Sequence, residues 1–256
     1  MGRKGKTARL KRKPAPRFWP IHRKEDPWVV KPSSGPHNLQ NCLPMSLVLR
    51  DILGVAKTRR EAQIILYQGK VLVDGNVLHK DDFPVGLMDI ISIQDAKQYY
   101  RVMPSHKGLF LSPVTKEETA TKLCRIDDKM TVSGGVQLNL HDGSNLLIKI
   151  ADPKSPKEDI YDTFDILKLS LPSKEIVGRI QLKEGNYVTI TGGKNIGVKG
   201  KIVEIEKAEA KKRKNALVVV EDEQGKRFQT ILDFVFSLGE TQPQVTTPVE
   251  EAPAVV

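Results

Sequence analysis

Apolar positions first recur at helical spacing near residue 47. Leu47, Val48, Leu49, Ile52 and Leu53 follow Pro44-Met45-Ser46 and predict a short amphipathic helix that Gly54 closes. Thr58-Arg59-Arg60-Glu61 then fits a capping box, in which the hydroxyl accepts from one free N–H and the carboxylate reaches back to another. The helix it opens runs to about Tyr67 and stops before Gly69. Ala62, Ile65 and Leu66 share one face of it, and Arg59, Arg60 and Gln63 share the opposite face. Val71-Leu72-Val73 and Val77-Leu78 flank Asp74-Gly75, a two-residue hairpin signal, and residues 89–93 supply another strand.

After Tyr99-Tyr100-Arg101 the period shortens. Residues 110–111, 136–140 and 146–150 read as short strands, broken by Gly134-Gly135 and Asp142-Gly143, while residues 116–123 have helical composition behind Thr115 as a cap. Val188 and Ile190 alternate with Thr189 and Thr191; a loop then carries Gly192, Gly193, Gly197 and Gly200, and Val203 and Ile205 resume the alternation. Residues 216–220 and 228–232 complete a β-module through an exposed charged connection at 206–214.

Charge changes the picture at the N-terminus. The net charge of +10 sits entirely on residues 1–24, where Arg3, Lys4, Lys6, Arg9, Lys11, Arg12, Lys13, Arg17, Arg23 and Lys24 meet no acid; the remaining chain holds 31 bases and 31 acids. Pro14, Pro16, Pro20, Pro27, Pro32 and Pro36 forbid a long helix there and leave too little alternation for a sheet, so the arm alone is expected to be extended and mobile. Both tryptophans, Trp19 and Trp28, nevertheless lie in it beside Phe18. They either pin the arm to the body or stack on bases. The longest apolar run, residues 216–220, is far short of the roughly 20 residues of a membrane span, and no apolar stretch follows the basic start as a secretory signal requires. Residues past Gly239 carry three acids, three prolines and no base, a composition expected to stay disordered.

Several features invite chemistry. The loop Gly192-Gly193-Lys194-Asn195-Ile196-Gly197-Val198 fails the phosphate-loop pattern, because Val198 stands where lysine is required. Lys194, Asn195, Lys199 and Lys201 remain as RNA contacts. Arg125-Ile126-Asp127 followed by Ser133-Gly134 is similar to the catalytic segment of pseudouridine synthases, but its spacing departs by insertions and the surrounding module is too small, so Asp127 reads as a turn residue. His22, His37, His79, His106 and His141 are dispersed, and Cys42 and Cys124 lack metal-site spacing; both read as reduced thiols of a cytosolic protein, with no metal and no cofactor. Lys57, Arg59, Arg60 and Lys70 form a cluster whose only acid between Val55 and Val73 is the capping Glu61. An unneutralised patch of that kind suits A-form RNA, which is recognised largely by backbone and shape. Arginine adds a planar fork for phosphate oxygens.

The segment 43–93 resembles the alpha-L RNA-binding motif, most plainly in the arginine-bearing helix followed by Gly69-Lys70-Val71-Leu72-Val73-Asp74-Gly75. Lys31-Pro32-Ser33-Ser34-Gly35-Pro36-His37, Phe83-Pro84-Val85-Gly86-Leu87-Met88-Asp89, Lys122-Leu123-Cys124-Arg125-Ile126 and Gln137-Leu138-Asn139-Leu140-His141-Asp142-Gly143 follow in the order found in the archaeal and eukaryotic small-subunit ribosomal family S-four-e, and the resemblance covers about residues 1–238. The strand–glycine loop–strand unit looks like a KOW element. The resemblance implies an α+β, multi-module chain: a basic arm (1–42), a helix–helix–hairpin RNA-binding module (43–105), a central β-rich module (106–178), a KOW/SH3-like small β-barrel (179–238) and an acidic tail (239–256). It implies a non-enzymatic, cytoplasmic component of the small ribosomal subunit, with small-subunit rRNA and neighbouring ribosomal proteins as partners and no membrane or small-molecule substrate. Two alternatives stay open: an RNA-modifying enzyme of pseudouridine synthase type, and a ribosome-associated accessory factor.

Overall fold

A computed structural model describes residues 9–22, 24–150, 159–206 and 213–246. The molecule is mostly β, with few helices, arranged around three five-stranded antiparallel sheets. The first joins Asn76–Val77, Val71–Val73, Ile90–Ile93, Gln98–Ser105 and Gly108–Pro113 in that order. The second runs Asn145–Lys149, Gly135–Leu140, Thr121–Val132, Ile166–Ser170 and Ile176–Ile180. The third runs Arg227–Ile231, Leu217–Glu221, Lys199–Glu206, Tyr187–Ile190 and Val235–Gly239.

Local signals around residues 45–78 translate directly into structure. A helical segment, Met45–Leu47 continuing with wider turns through Val48–Ile52, buries Leu47, Val48 and Leu49. The helix Arg59–Tyr67 starts where the capping box places it: the Glu61 N–H donates to Thr58 Oγ1 at 3.2 Å, and Glu61 Oε2 accepts from the Lys57 N–H at 2.8 Å, one residue before the cap. These charge-assisted bonds hold the exposed Glu61 carboxyl below its usual pKa range, the Lys57 N–H contributing most. Asp74 and Gly75 both take positive φ, +50° and +81°, as a two-residue hairpin turn of this hand requires.

Three expectations fail for tertiary reasons. Residues 116–123 form only a 3-10 turn, Glu117–Ala120, with no side-chain cap from Thr115, and then enter the strand Thr121–Val132. Pairing of Thr121–Arg125 with residues 166–170 buries both faces of that segment, which outweighs its helix propensity. Asp127 lies in this strand and not in a turn. It is the additional residue of a bulge, because Ile126 faces Leu140 while Asp128 faces Asn139. Lastly, the C-terminal stretch is docked as far as Thr246: Val245 is buried among Met88, Met103, Phe236 and Leu238, and Thr246 bonds Glu118. The charged connection at 207–212 and the tail from 247 lie outside the described residues.

Between the first two sheets sits a buried ion network. The Lys122 ammonium, 1 % exposed, donates to Asp74 Oδ2 and Asp89 Oδ1, both at 2.6 Å, and lies 3.5 Å from Asp142 Oδ2. Asp89 Oδ2 also accepts from the Gly86 N–H at 2.9 Å and faces His37 Nε2 at 3.0 Å. Burial works against every charge here, but the carboxylates outweigh it and raise the Lys122 pKa. Burial likewise pushes Asp89 up, and Lys122 and His37 outweigh it to hold this carboxylate well below its usual range. Asp142, with Lys122 and two Ser144 hydrogen bonds overcoming burial, falls to about 2. Asp74 goes the other way: burial and the Asp89 charge raise it. A second clamp is Arg101, 1 % exposed, which donates to the Glu118 carboxylate, the Glu118 carbonyl and the Thr121 carbonyl at 3.1 Å. A third is Arg125, whose Nη1 donates to the carbonyls of Asp233 (2.6 Å), in the turn Leu232–Phe234, and of Val235 (3.2 Å), at the start of the last strand of the third sheet.

Lys122→Met leaves two or three carboxylates buried without their cation, so urea unfolding is expected to show a loss of about 3–5 kcal/mol. Adding Asp74→Asn and Asp89→Asn should recover part of it; full stability in the single variant would show the network to be incidental. His141 supplies a pH test. Its Nδ1 accepts from the Arg125 N–H at 3.1 Å and its Nε2 sits 3.2 Å from the Leu87 carbonyl, an arrangement that fits the neutral Nε2–H ring. Burial, then the Lys122 charge, lowers its pKa from 6.5 to about 3. A depressed folded-state pKa means stability present above 6.5 and lost as pH falls from 6.5 toward 3. His141→Gln should flatten the pH dependence in that window by up to about 1.4 kcal/mol per unit; identical slopes in the two proteins would exclude this role.

Candidate nucleic-acid interface

The described part of the basic arm, residues 9–22 and 24–42, is folded onto the body. Leu10–Lys11 pairs antiparallel with Trp28–Val29, a short ribbon that the proline-rich composition did not suggest. Trp19 is 2 % exposed, and its indole N–H donates to the Cys42 carbonyl at 2.8 Å. It packs in the same core as Leu43, Met45 and Leu66, with Phe18 against it. The two tryptophans thus divide the roles that the sequence left open. Trp19 pins the arm, while Trp28 stays half exposed under two cations, with the Arg9 guanidinium 5.7 Å and the Lys11 ammonium 5.4 Å from its ring centre.

Once the arm is anchored, its cations no longer behave alike. Arg12 is used internally: its Nε and Nη2 donate to the Ile21 carbonyl at 3.2 and 3.0 Å. Arg9, Lys11, Lys13, Arg17 and Lys24 lie at the surface. Arg3, Lys4, Lys6 and Arg23 lie outside the described residues.

On the helix Arg59–Tyr67, Lys57, Arg59 and Arg60 are exposed and Gln63 is half-buried. The patch is less positive than its sequence neighbourhood implied. Asp81 arrives from beyond the hairpin to pair with Arg59 at 2.5 Å, and Asp95 pairs with Lys70 at 2.6 Å. Both acids lie outside the window 55–73, so spacing along the chain could not reveal them. Arg60 and Lys57 remain exposed. Beside them Tyr67, 72 % exposed, and Ile64, 49 % exposed, present an apolar stripe that the helical period places next to Arg60.

In the third sheet, Lys194 and Lys201 are exposed and Lys199 is half-buried. Asn195 is turned inward, with its Nδ2 donating to the Gln229 carbonyl at 3.4 Å. A strand follows the glycine loop, so no helix N-terminus addresses this loop. Two further basic positions, His106 and Lys107, lie exposed at the tip between Gln98–Ser105 and Gly108–Pro113. Their signal is Ser105-His106-Lys107-Gly108, a turn between two β-runs, and it is weak without knowing what the turn faces.

The other chemical candidates resolve into structure. Asp127 Oδ1 accepts from Arg125 Nε at 2.8 Å on the exposed bulge. Cys42 and Cys124 are free and buried; burial, then the Asp89 charge, pushes the Cys42 thiol up to about 12. Among the described residues no helix is long and apolar enough to cross a membrane.

Three family models match the chain: an RS4NT (NUC023) domain over residues 4–40, an S4 domain over 48–91, and Ribosomal family S4e over 96–176. Small ribosomal subunit protein eS4 of Staphylothermus marinus is 48 % identical over 97 % of this chain and 98 % of its own length. The protein of that name from Methanocaldococcus jannaschii is 43 % identical over 95 % and 98 %. The crystal structure of the 30S ribosomal protein S4e from Thermoplasma acidophilum superposes with a TM-score of 0.63 at 31 % identity, covering 78 % of this chain and 95 % of that one. With family models spread along its length and relatives aligned almost end to end, the chain belongs to the ribosomal protein family S4e.

Proposed function

We propose that the chain is a structural component of the small ribosomal subunit that binds rRNA through its anchored basic arm and its S4 domain. The observation that carries this reading is the end-to-end match to proteins named small ribosomal subunit protein eS4, together with an S4 domain whose helix exposes Lys57 and Arg60. The partners it fits are small-subunit rRNA and adjacent ribosomal proteins, and the location is the ribosome in the cytoplasm. The family match supports this structural role and gives none to the pseudouridine-synthase or accessory-factor readings. The modular division is part of the proposal: arm, S4 module, central β-module, KOW-like module and tail. Gly108–Pro113 pairs with Gln98–Ser105, which favours a border after the S4 module nearer residue 113 than 105.

RNA would be held mainly by its backbone. Arginine and lysine on an ordered arm lose less conformational freedom on binding than the same residues on a loose one. Arg12 contributes by fixing the arm, whereas Arg9, Lys11, Lys13, Arg17 and Lys24 lie at the surface, where they would meet phosphate.

Lys57→Ala with Arg60→Ala is expected to weaken binding to small-subunit rRNA about tenfold or more without lowering thermal stability, and Arg59→Ala should do less because Asp81 already neutralises it. Filter binding at fixed salt checks this; equal effects at Arg59 and Arg60 would contradict it. Replacing the nine bases of residues 1–24 other than Arg12 by glutamine keeps the Trp19 anchor and should reduce the log–log salt slope by about 6–8 if all nine neutralise phosphates. Tryptophan emission gives a third test. RNA should quench the half-exposed Trp28 and spare Trp19, so Trp28→Phe should abolish the quenching; persistence of quenching would place RNA elsewhere.

A further inference from the structure

The arm, the hairpin tip and the glycine loop come from three separate parts of the chain and meet around one open groove of about 620 Å³. Lys13 and Arg17 stand on one wall, braced by Pro14 and Pro16; His106 and Lys107 stand on the other; Ile196 of the glycine loop closes one side. Among the described residues, every ionisable side chain lining this groove is basic. Phe18, at its floor, packs against Gly108 so closely that any side chain there would overlap it.

The third element is held by close backbone approach. Gly197 has φ of +87°, and a Cβ on it would lie 2.7 Å from the His106 nitrogen and 2.8 Å from the Ser105 carbonyl carbon. Only glycine lets the loop abut the hairpin tip in this way.

We propose that this groove is a composite site for the phosphodiester backbone of rRNA, gripped by Lys13, Arg17 and Lys107 and assembled only when arm, hairpin and glycine loop are packed together. It rests on the rRNA-binding reading and deepens it by assigning a site outside the S4 helix. The chemistry favours a backbone: three flexible or forked cations at an open trough bind phosphate oxygens with little base selectivity. The close packing gives pre-organisation, since the cations' backbones are set before RNA arrives.

The test measures binding of full-length protein to transcribed small-subunit rRNA across a potassium chloride series. Neutralising Lys13, Arg17 and Lys107 together to glutamine should weaken binding and lower the log–log slope by about 2, from three phosphate contacts at roughly 0.7–0.9 each. Gly197→Ala should weaken binding with no charge removed. Gly225→Ala is its control, because φ there is +76° with nothing within 4 Å, so it carries the backbone strain without the clash. If Gly197→Ala misfolds, the surface triple variant decides alone. A triple variant that binds with the wild-type slope, while Lys57→Ala/Arg60→Ala binds poorly, would overturn the groove and leave the S4 reading intact. Wild-type protein that ignores rRNA would instead defeat the parent reading.

Discussion

A single ammonium group sets the geometry on which the interface depends. Lys122 belongs to the central sheet, and two of the carboxylates it holds, Asp74 and Asp89, belong to the S4 segment. Removing such a group strands charges in a low-dielectric interior, so the two sheets have one low-energy relation and not a range of them. Arg101 repeats the device between the first and second sheets, and Arg125 between the second and third. An apolar core of Met88, Met103, Leu123, Ile166, Phe236 and Leu238 draws on all three sheets and supplies the non-directional part of the adhesion.

Rigid relations matter because the basic side chains are scattered along more than a hundred residues. Binding a polyanion with cations from separate segments is efficient only if their spacing is fixed in advance; otherwise each contact carries an ordering cost. The arm illustrates this. Trp19 commits a large apolar ring and one indole N–H to the body, and that anchor holds Lys13 and Arg17 on either side of two prolines. Trp28 does the complementary job at the surface, where its ring gathers Arg9 and Lys11.

Electrostatics inside the fold and at its surface follow different rules. Buried cations such as Lys122 and Arg101 are matched by carboxylates or carbonyls and serve structure. Exposed cations on the groove and on the S4 segment stay in contact with solvent, where salt screens them. Arg59 and Lys70 stand between these classes, paired with Asp81 and Asp95 at the surface.

Local information was enough for the S4 segment. The Thr58 cap, the 62/66 apolar face and the Asp74-Gly75 turn each depend on residues within four or five positions of one another, and each forms as its spacing requires. The strands at 187–190 and 217–221 were equally readable, the first from its Val/Thr alternation and the second as a short apolar run rich in β-branched residues. What spacing could not convey was long-range. Residues 116–123 carried helical composition, yet a strand 45 residues away claimed their backbone. Lys122, Asp74, Asp89 and Asp142 stood out only as parts of familiar segments, since four charges separated by up to 68 positions show no sequence pattern that would bring them together. The same holds for the groove, whose walls come from residues 13–18, 106–108 and 196. The sequence by itself determined where helices cap, where turns reverse and where positive charge accumulates, because those properties are local. Only the tertiary structure decided which charges are cancelled and which remain available, because that depends on contacts made across the chain.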